Sequence, residues 1–91
     1  MTQKFIIVSE YGLHARPATR LVNQAMSYHS ELSLTAFNRT VNLKSIMGVM
    51  SLGIYHGETI EITARGTDEE RALAGLSDFI VTEGLGQVVN E

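Results

Sequence analysis

In the stretch Gly12-Leu13-His14-Ala15-Arg16-Pro17-Ala18 a histidine and an arginine stand two residues apart, just ahead of the only proline in the sequence. Pro17 predicts the first turn of a helix, where its missing N–H costs nothing and its fixed φ suits the turn. His14 then falls at or beside the N-cap. The free N–H groups of the first turn and the positive end of the helix dipole face whatever His14 carries. Such a terminus is a natural anion site, and Arg16 adds a permanent cation whose donor fork suits phosphate oxygens. An imidazole with an ordinary pKa of about 6.5 is largely neutral near pH 7 and is nucleophilic. The chemistry this spacing allows is a transient phosphohistidine, with the phosphoryl charge held by the helix terminus and Arg16. An N–P bond passes its group onward more readily than a serine ester, so histidine suits a relay. The plain alternative is a surface or capping histidine beside a structural Arg-Pro pair.

Ser45 is the second residue with chemical potential. It precedes Ile46-Met47-Gly48-Val49-Met50-Ser51-Leu52, a segment long enough for a helix of about two turns. As an N-cap, Ser45 stabilises that helix by about 1 kcal/mol. Phosphorylated, it would place a charge of about −1.5 to −2 at the helix start without refolding. The effect would then be electrostatic and steric at a docking surface. Met47 and Met50 fit a core, the commoner role of Met at helical spacing, or an adaptable surface shared by several partners.

These residues need elements to hold them. Lys4 to Val8 reads as a strand, rich in β-branched and aromatic residues. From Ala15 to Ser27 the period becomes helical, with Ala18, Leu21, Val22, Ala25 and Met26 forming one buried stripe. Arg16, Arg20, Asn23 and Gln24 lie mainly off it. Leu32, Leu34 and Ala36 alternate with Ser33, Thr35 and Phe37, and Val41 and Leu43 repeat the pattern after a turn at Asn38-Arg39. Gly53 stops the short helix. Ile60, Ile62 and Ala64 mark another half-buried strand. Thr67-Asp68-Glu69-Glu70 reads as a capping box opening a helix that carries Leu73, Leu76 and Ile80 inward and ends at Gly84. Gly75 inside that helix costs roughly 1 kcal/mol relative to Ala. The order is β-α-β-β-α-β-α, a two-layer α+β sandwich with helices on one sheet face. Strand order does not follow from these patterns, and a ferredoxin-like arrangement would read almost the same.

Ninety-one residues at 44% apolar and 19% charged make one ordinary globular domain, spanning residues 1–91. The seven basic residues are scattered and the net charge is −3, which argues against a nucleic-acid partner. The absence of cysteine excludes disulfides and Cys-based zinc sites. The N-terminus is too short in apolar residues for a leader or a span, so a cytoplasmic protein with no direct membrane contact is expected. His14, His29 and His56 share no ligand spacing. No metal or cofactor is expected, and His29 and His56 read as surface loop residues.

The stretch from Gly12 to Ala18 resembles the phosphorylation motif of HPr, the histidine-containing phosphocarrier family of the phosphoenolpyruvate-dependent sugar phosphotransferase system. Val41-Asn42-Leu43-Lys44-Ser45-Ile46-Met47-Gly48-Val49-Met50-Ser51-Leu52-Gly53-Ile54 resembles that family's second signature, and the ending Glu83-Gly84-Leu85-Gly86 is similar too. The resemblance covers essentially the whole chain. It implies an open-faced β-sandwich with a four-stranded antiparallel sheet and three helices. It implies a carrier, not a self-sufficient enzyme: His14 accepts a phosphoryl group through Nδ1 from enzyme I, Arg16 contacts that group, and enzyme II A components receive it. It further implies that HPr kinase/phosphorylase phosphorylates Ser45, weakening transfer from enzyme I and promoting binding to catabolite control protein A in carbon catabolite repression. Arg16, Pro17, Ile46, Met47 and Met50 become the expected partner surface, and a monomer is the natural state of such a carrier.

Two departures from the family pattern stand out. Tyr11 occupies a place where many relatives carry a small or polar residue, so the loop before His14 is expected to pack differently. Asn38-Arg39 replaces the more usual Asn-Gly turn. Three other functions compete. A regulatory paralogue would act through Ser45 alone, but such paralogues lack the histidine. A histidine phosphatase would need an Arg where this chain has Leu13. A ferredoxin-like ligand-binding module would show no phosphotransfer.

Overall fold

The computed structural model describes residues 1–90. The elements run β1 (Thr2–Ile7), α1 (Ala15–Ala25), β2 (Glu31–Ala36), β3 (Arg39–Asn42), α2 (Ile46–Met50), β4 (Thr59–Arg65), α3 (Glu69–Thr82) and β5 (Gly86–Val89). The strands form one sheet in the order β3-β2-β4-β1-β5, every neighbouring pair antiparallel. This order separates the fold from alternatives that hydrophobic periodicity leaves open.

The sheet has five strands where four were expected. Gly84, at φ +70°, turns the chain back at the end of α3, and buried Leu85 anchors the return by accepting the Val8 N–H at 2.9 Å. Residues 86–89 then pair with β1 in the register Ile7↔Gly86 to Lys4↔Val89. A four-residue edge strand bearing Gly, Gln and two Val carries little periodic signal, which is why it reads as a mere ending.

The period-two pattern places Phe5, Ile7, Leu32, Leu34, Ala36, Ile60, Ile62 and Ala64 on the covered face. Ala18, Leu21, Val22 and Ala25 of α1 pack against them, with Ala72, Leu73, Leu76 and Ile80 of α3 and Val49 of α2. Burying each large aliphatic side chain contributes about 1.5–3 kcal/mol. Met26, expected on the α1 stripe, is exposed. It lies about 80° around the helix from Ala18 and serves as the C-cap, past the last turn that faces the sheet.

Two local expectations shift. The β2–β3 turn is centred on Phe37 and Asn38, not Asn38-Arg39, because Ala36 pairs with Arg39. Both central residues adopt the left-handed region, φ 54° and 61°, as the twist of a two-residue hairpin requires. The capping box at Thr67 gives way to Asp68 as N-cap, with Glu69 Oε1 accepting the Gly66 N–H at 3.2 Å. Asp68 instead turns its carboxylate across the chain, where it accepts N–H bonds from His29 and Ser30, both at 2.9 Å, and the Ser30 hydroxyl. Gly75 has a packing reason: the Tyr28 hydroxyl occupies the space a Cβ would need. No helix among the described residues is long and apolar enough to cross a membrane.

Candidate functional site

His14 is the N-cap of α1, with extended backbone at φ −77° and ψ −176°. Its carbonyl accepts the Ala18 N–H at 2.9 Å, while its side chain makes no capping hydrogen bond. The exposed imidazole therefore stands at a helix start whose first N–H groups, on Ala15 and Arg16, have no intrahelical acceptor. Pro17 follows in the same turn and lacks an N–H altogether. The positive end of an eleven-residue helix and two free donors converge where the ring begins.

The loop that presents His14 is held from behind. Gly12 adopts φ +67° and packs its backbone against Ile54 and Tyr55 so closely that any Cβ would strike the Ile54 carbonyl. Buried Leu13 donates its N–H to that carbonyl at 3.1 Å, and the His56 ring lies 3.2 Å from the Ser9 carbonyl. Tyr11, the unusual residue of this loop, is exposed and sets its ring edge-on to His14, with centroids 6.2 Å apart at 88°. Its bulk points outward and stands as a wall beside the imidazole.

His14, Arg16 and Pro17 line a shallow cleft completed by Ser9, Arg20, Phe79, Glu83 and Leu85. Arg16 is exposed and has no ion-pair partner among the described residues. Arg20 is bound: it forms an ion pair with Glu83, and its guanidinium lies 5.6 Å from the centroid of the Phe79 ring. Sequence reasoning placed Arg20 merely off the buried stripe. Its spacing of four from Arg16, which puts both on one flank, was the signal available. Glu83 and Phe79 arrive from α3 and could not be paired with α1 by any local pattern.

Ser45 is the N-cap of α2, and its Oγ accepts the Gly48 N–H at 3.0 Å. It is not part of the His14 cleft. Of the residues around it, Val49 is buried while Ile46, Met47 and Met50 face outward, Met47 at 85% exposure. Those three form an apolar surface, not core. His29 and His56 are exposed loop residues, and no group of three or more potential metal ligands occurs among the described residues.

The family profile for the PTS HPr component phosphorylation site matches residues 1–82. The chain is also similar to the histidine-containing phosphocarrier protein of Mycoplasma, with 36% identity, 96% of this chain and 99% of that one covered, and a TM-score of 0.92. For the phosphocarrier protein HPr of Bacillus anthracis the identity is 39%, the coverage 87% and 94%, and the TM-score 0.82. For Crh, the Bacillus subtilis catabolite repression protein seen as a swapped dimer, the identity is 39%, the coverage 84% and 87%, and the TM-score 0.72. The β5 strand lies beyond the residues that the profile matches.

Proposed function

Since this chain belongs to the HPr family of phosphocarriers of the phosphotransferase system, we propose that His14 is the residue through which it carries. The observation that supports this most is the uncommitted imidazole at the open start of α1. In the proposed step the Nδ1 lone pair attacks phosphorus, an N–P bond forms, and the bond to the donor, phospho-enzyme I, breaks with its electron pair leaving on the donor. The Ala15 and Arg16 N–H groups and the Arg16 guanidinium then stabilise the phosphoryl oxygens. An enzyme II A component takes the group in the reverse sense. The chain is thus a cytoplasmic single-domain carrier, spanning residues 1–91, that depends on partner enzymes for each half of its cycle.

Ser45 is the regulatory residue in this reading, phosphorylated by HPr kinase/phosphorylase. The exposed surface of Ile46, Met47 and Met50, with Arg16 and Pro17, is where enzyme I, enzyme II A components and catabolite control protein A dock. The likeness to Crh favours one alternative, a regulatory protein acting through phospho-Ser45 alone. Acid-labile labelling of the wild-type chain from phosphoenolpyruvate in the presence of enzyme I separates the two, and His14→Ala should abolish it. Label persisting in that variant removes His14 as the acceptor.

A further inference from the structure

The cleft at His14 contains a carboxylate, which is the wrong charge beside an arriving phosphoryl group. Glu83 is the C-cap of α3, and its position in the cleft is fixed by the helix end. Left alone it would repel the phosphoryl oxygens and compete for the nearest guanidinium. Arg16 and Arg20 both line that cleft, one helical turn apart on α1, but only Arg20 is occupied. Both of its anchors come from the final turn of α3: Glu83 through the ion pair, and Phe79, whose carbonyl accepts the Glu83 N–H at 2.9 Å, through its ring face. The aromatic face positions the guanidinium and the carboxylate neutralises it.

We propose that Arg20 is a positioning residue for phosphotransfer: it neutralises Glu83 and ties it to α1, leaving Arg16 free for the phosphoryl group on His14. The inference rests on His14 being the phosphoacceptor. Arg20 itself touches no reacting atom in this account. Its side chain is 55% exposed and that of Glu83 32%, so solvent screens the pair and the effect is moderate. An uncompensated unit charge several ångströms from a developing anion in that setting changes a rate by about threefold to tenfold.

The test is the initial rate of labelling from phosphoenolpyruvate and enzyme I in the wild-type chain and four variants. Arg20→Gln should slow labelling by about threefold to tenfold. Arg20→Lys, which keeps the charge, should recover most of the rate. Glu83→Gln should be no slower than wild type, and Arg20→Gln/Glu83→Gln should return to within about twofold of it, because removing both charges removes the problem Arg20 solves. A double variant as slow as Arg20→Gln would make Arg20 a direct contact of the phosphoryl group or donor and overturn the proposal. So would an Arg20→Gln variant that labels at the wild-type rate. A wild-type chain that is not labelled at all overturns the acceptor reading, and this inference with it.

Discussion

A histidine becomes a useful phosphoryl carrier only when nothing else occupies it, and His14 meets that condition through its backbone. As N-cap it supplies its carbonyl to the helix and leaves its ring unbonded. Ser45 caps α2 in the opposite manner, its Oγ engaged by the Gly48 N–H. Phosphorylation of Ser45 would add charge at an already formed cap, beside the exposed Ile46 and Met47. Ser45→Asp should therefore slow His14 labelling by enzyme I by about tenfold or more through like-charge repulsion and desolvation at docking, with little change in fold. Equal initial rates for Ser45→Asp and wild type would sink the regulatory role. At this scale the sequence was informative because both sites are local: His14, Arg16 and Pro17 share one helical turn, and Ser45 directly precedes the helix it caps. Arg20 was missed as a site neighbour because its partners, Phe79 and Glu83, lie about sixty residues away along the chain.

The elements were legible wherever burial imposes a period. The stripes of α1 and α3 and the alternation in β2 and β4 follow from one-sided packing, and the structure buries the residues those patterns select except Met26, at the end of α1. Boundaries moved where a side chain found a distant partner. Asp68 falls inside the local capping-box pattern, yet its carboxylate ties the loop between α1 and β2 to the start of α3, with 12% of its side chain exposed. The Ser30 hydroxyl, then the His29 N–H, hold its pKa down at about 2, with the Ser30 N–H and Arg71 adding to this against partial desolvation. A carboxyl with a depressed folded-state pKa stabilises the fold above its unfolded value of about 3.9, and that contribution is lost as pH falls through the folded value. Between about pH 4 and pH 2 wild type should therefore lose stability more steeply than Asp68→Asn. Urea unfolding across that window checks this, and parallel pH profiles for the two proteins would contradict it.

For the molecule as a whole, the two-layer arrangement was accessible from the order of elements, whereas strand order and the fifth strand were not. Sheet pairing depends on contacts between distant segments, and β5 depends on a chain reversal at Gly84 that leaves no period behind it. By pairing along β1, residues 86–89 make β1 an interior strand and move the sheet edge outward. Removing residues 87–91 should lower the melting temperature by about 4–8 °C, the shift that roughly 1 kcal/mol produces in a domain of this size. It should leave His14 labelling in place, because the cleft ends at Leu85. An unchanged melting temperature would mean that β5 adds nothing to the sheet it extends.

The most direct test of the central claim is incubation of the wild-type chain with phosphoenolpyruvate, magnesium and enzyme I, followed by intact-mass and site-localised mass spectrometry under alkaline conditions. The account predicts one added phosphoryl group, on His14, that disappears when an enzyme II A component is supplied. No modification, under conditions that label a known HPr in parallel, would contradict it.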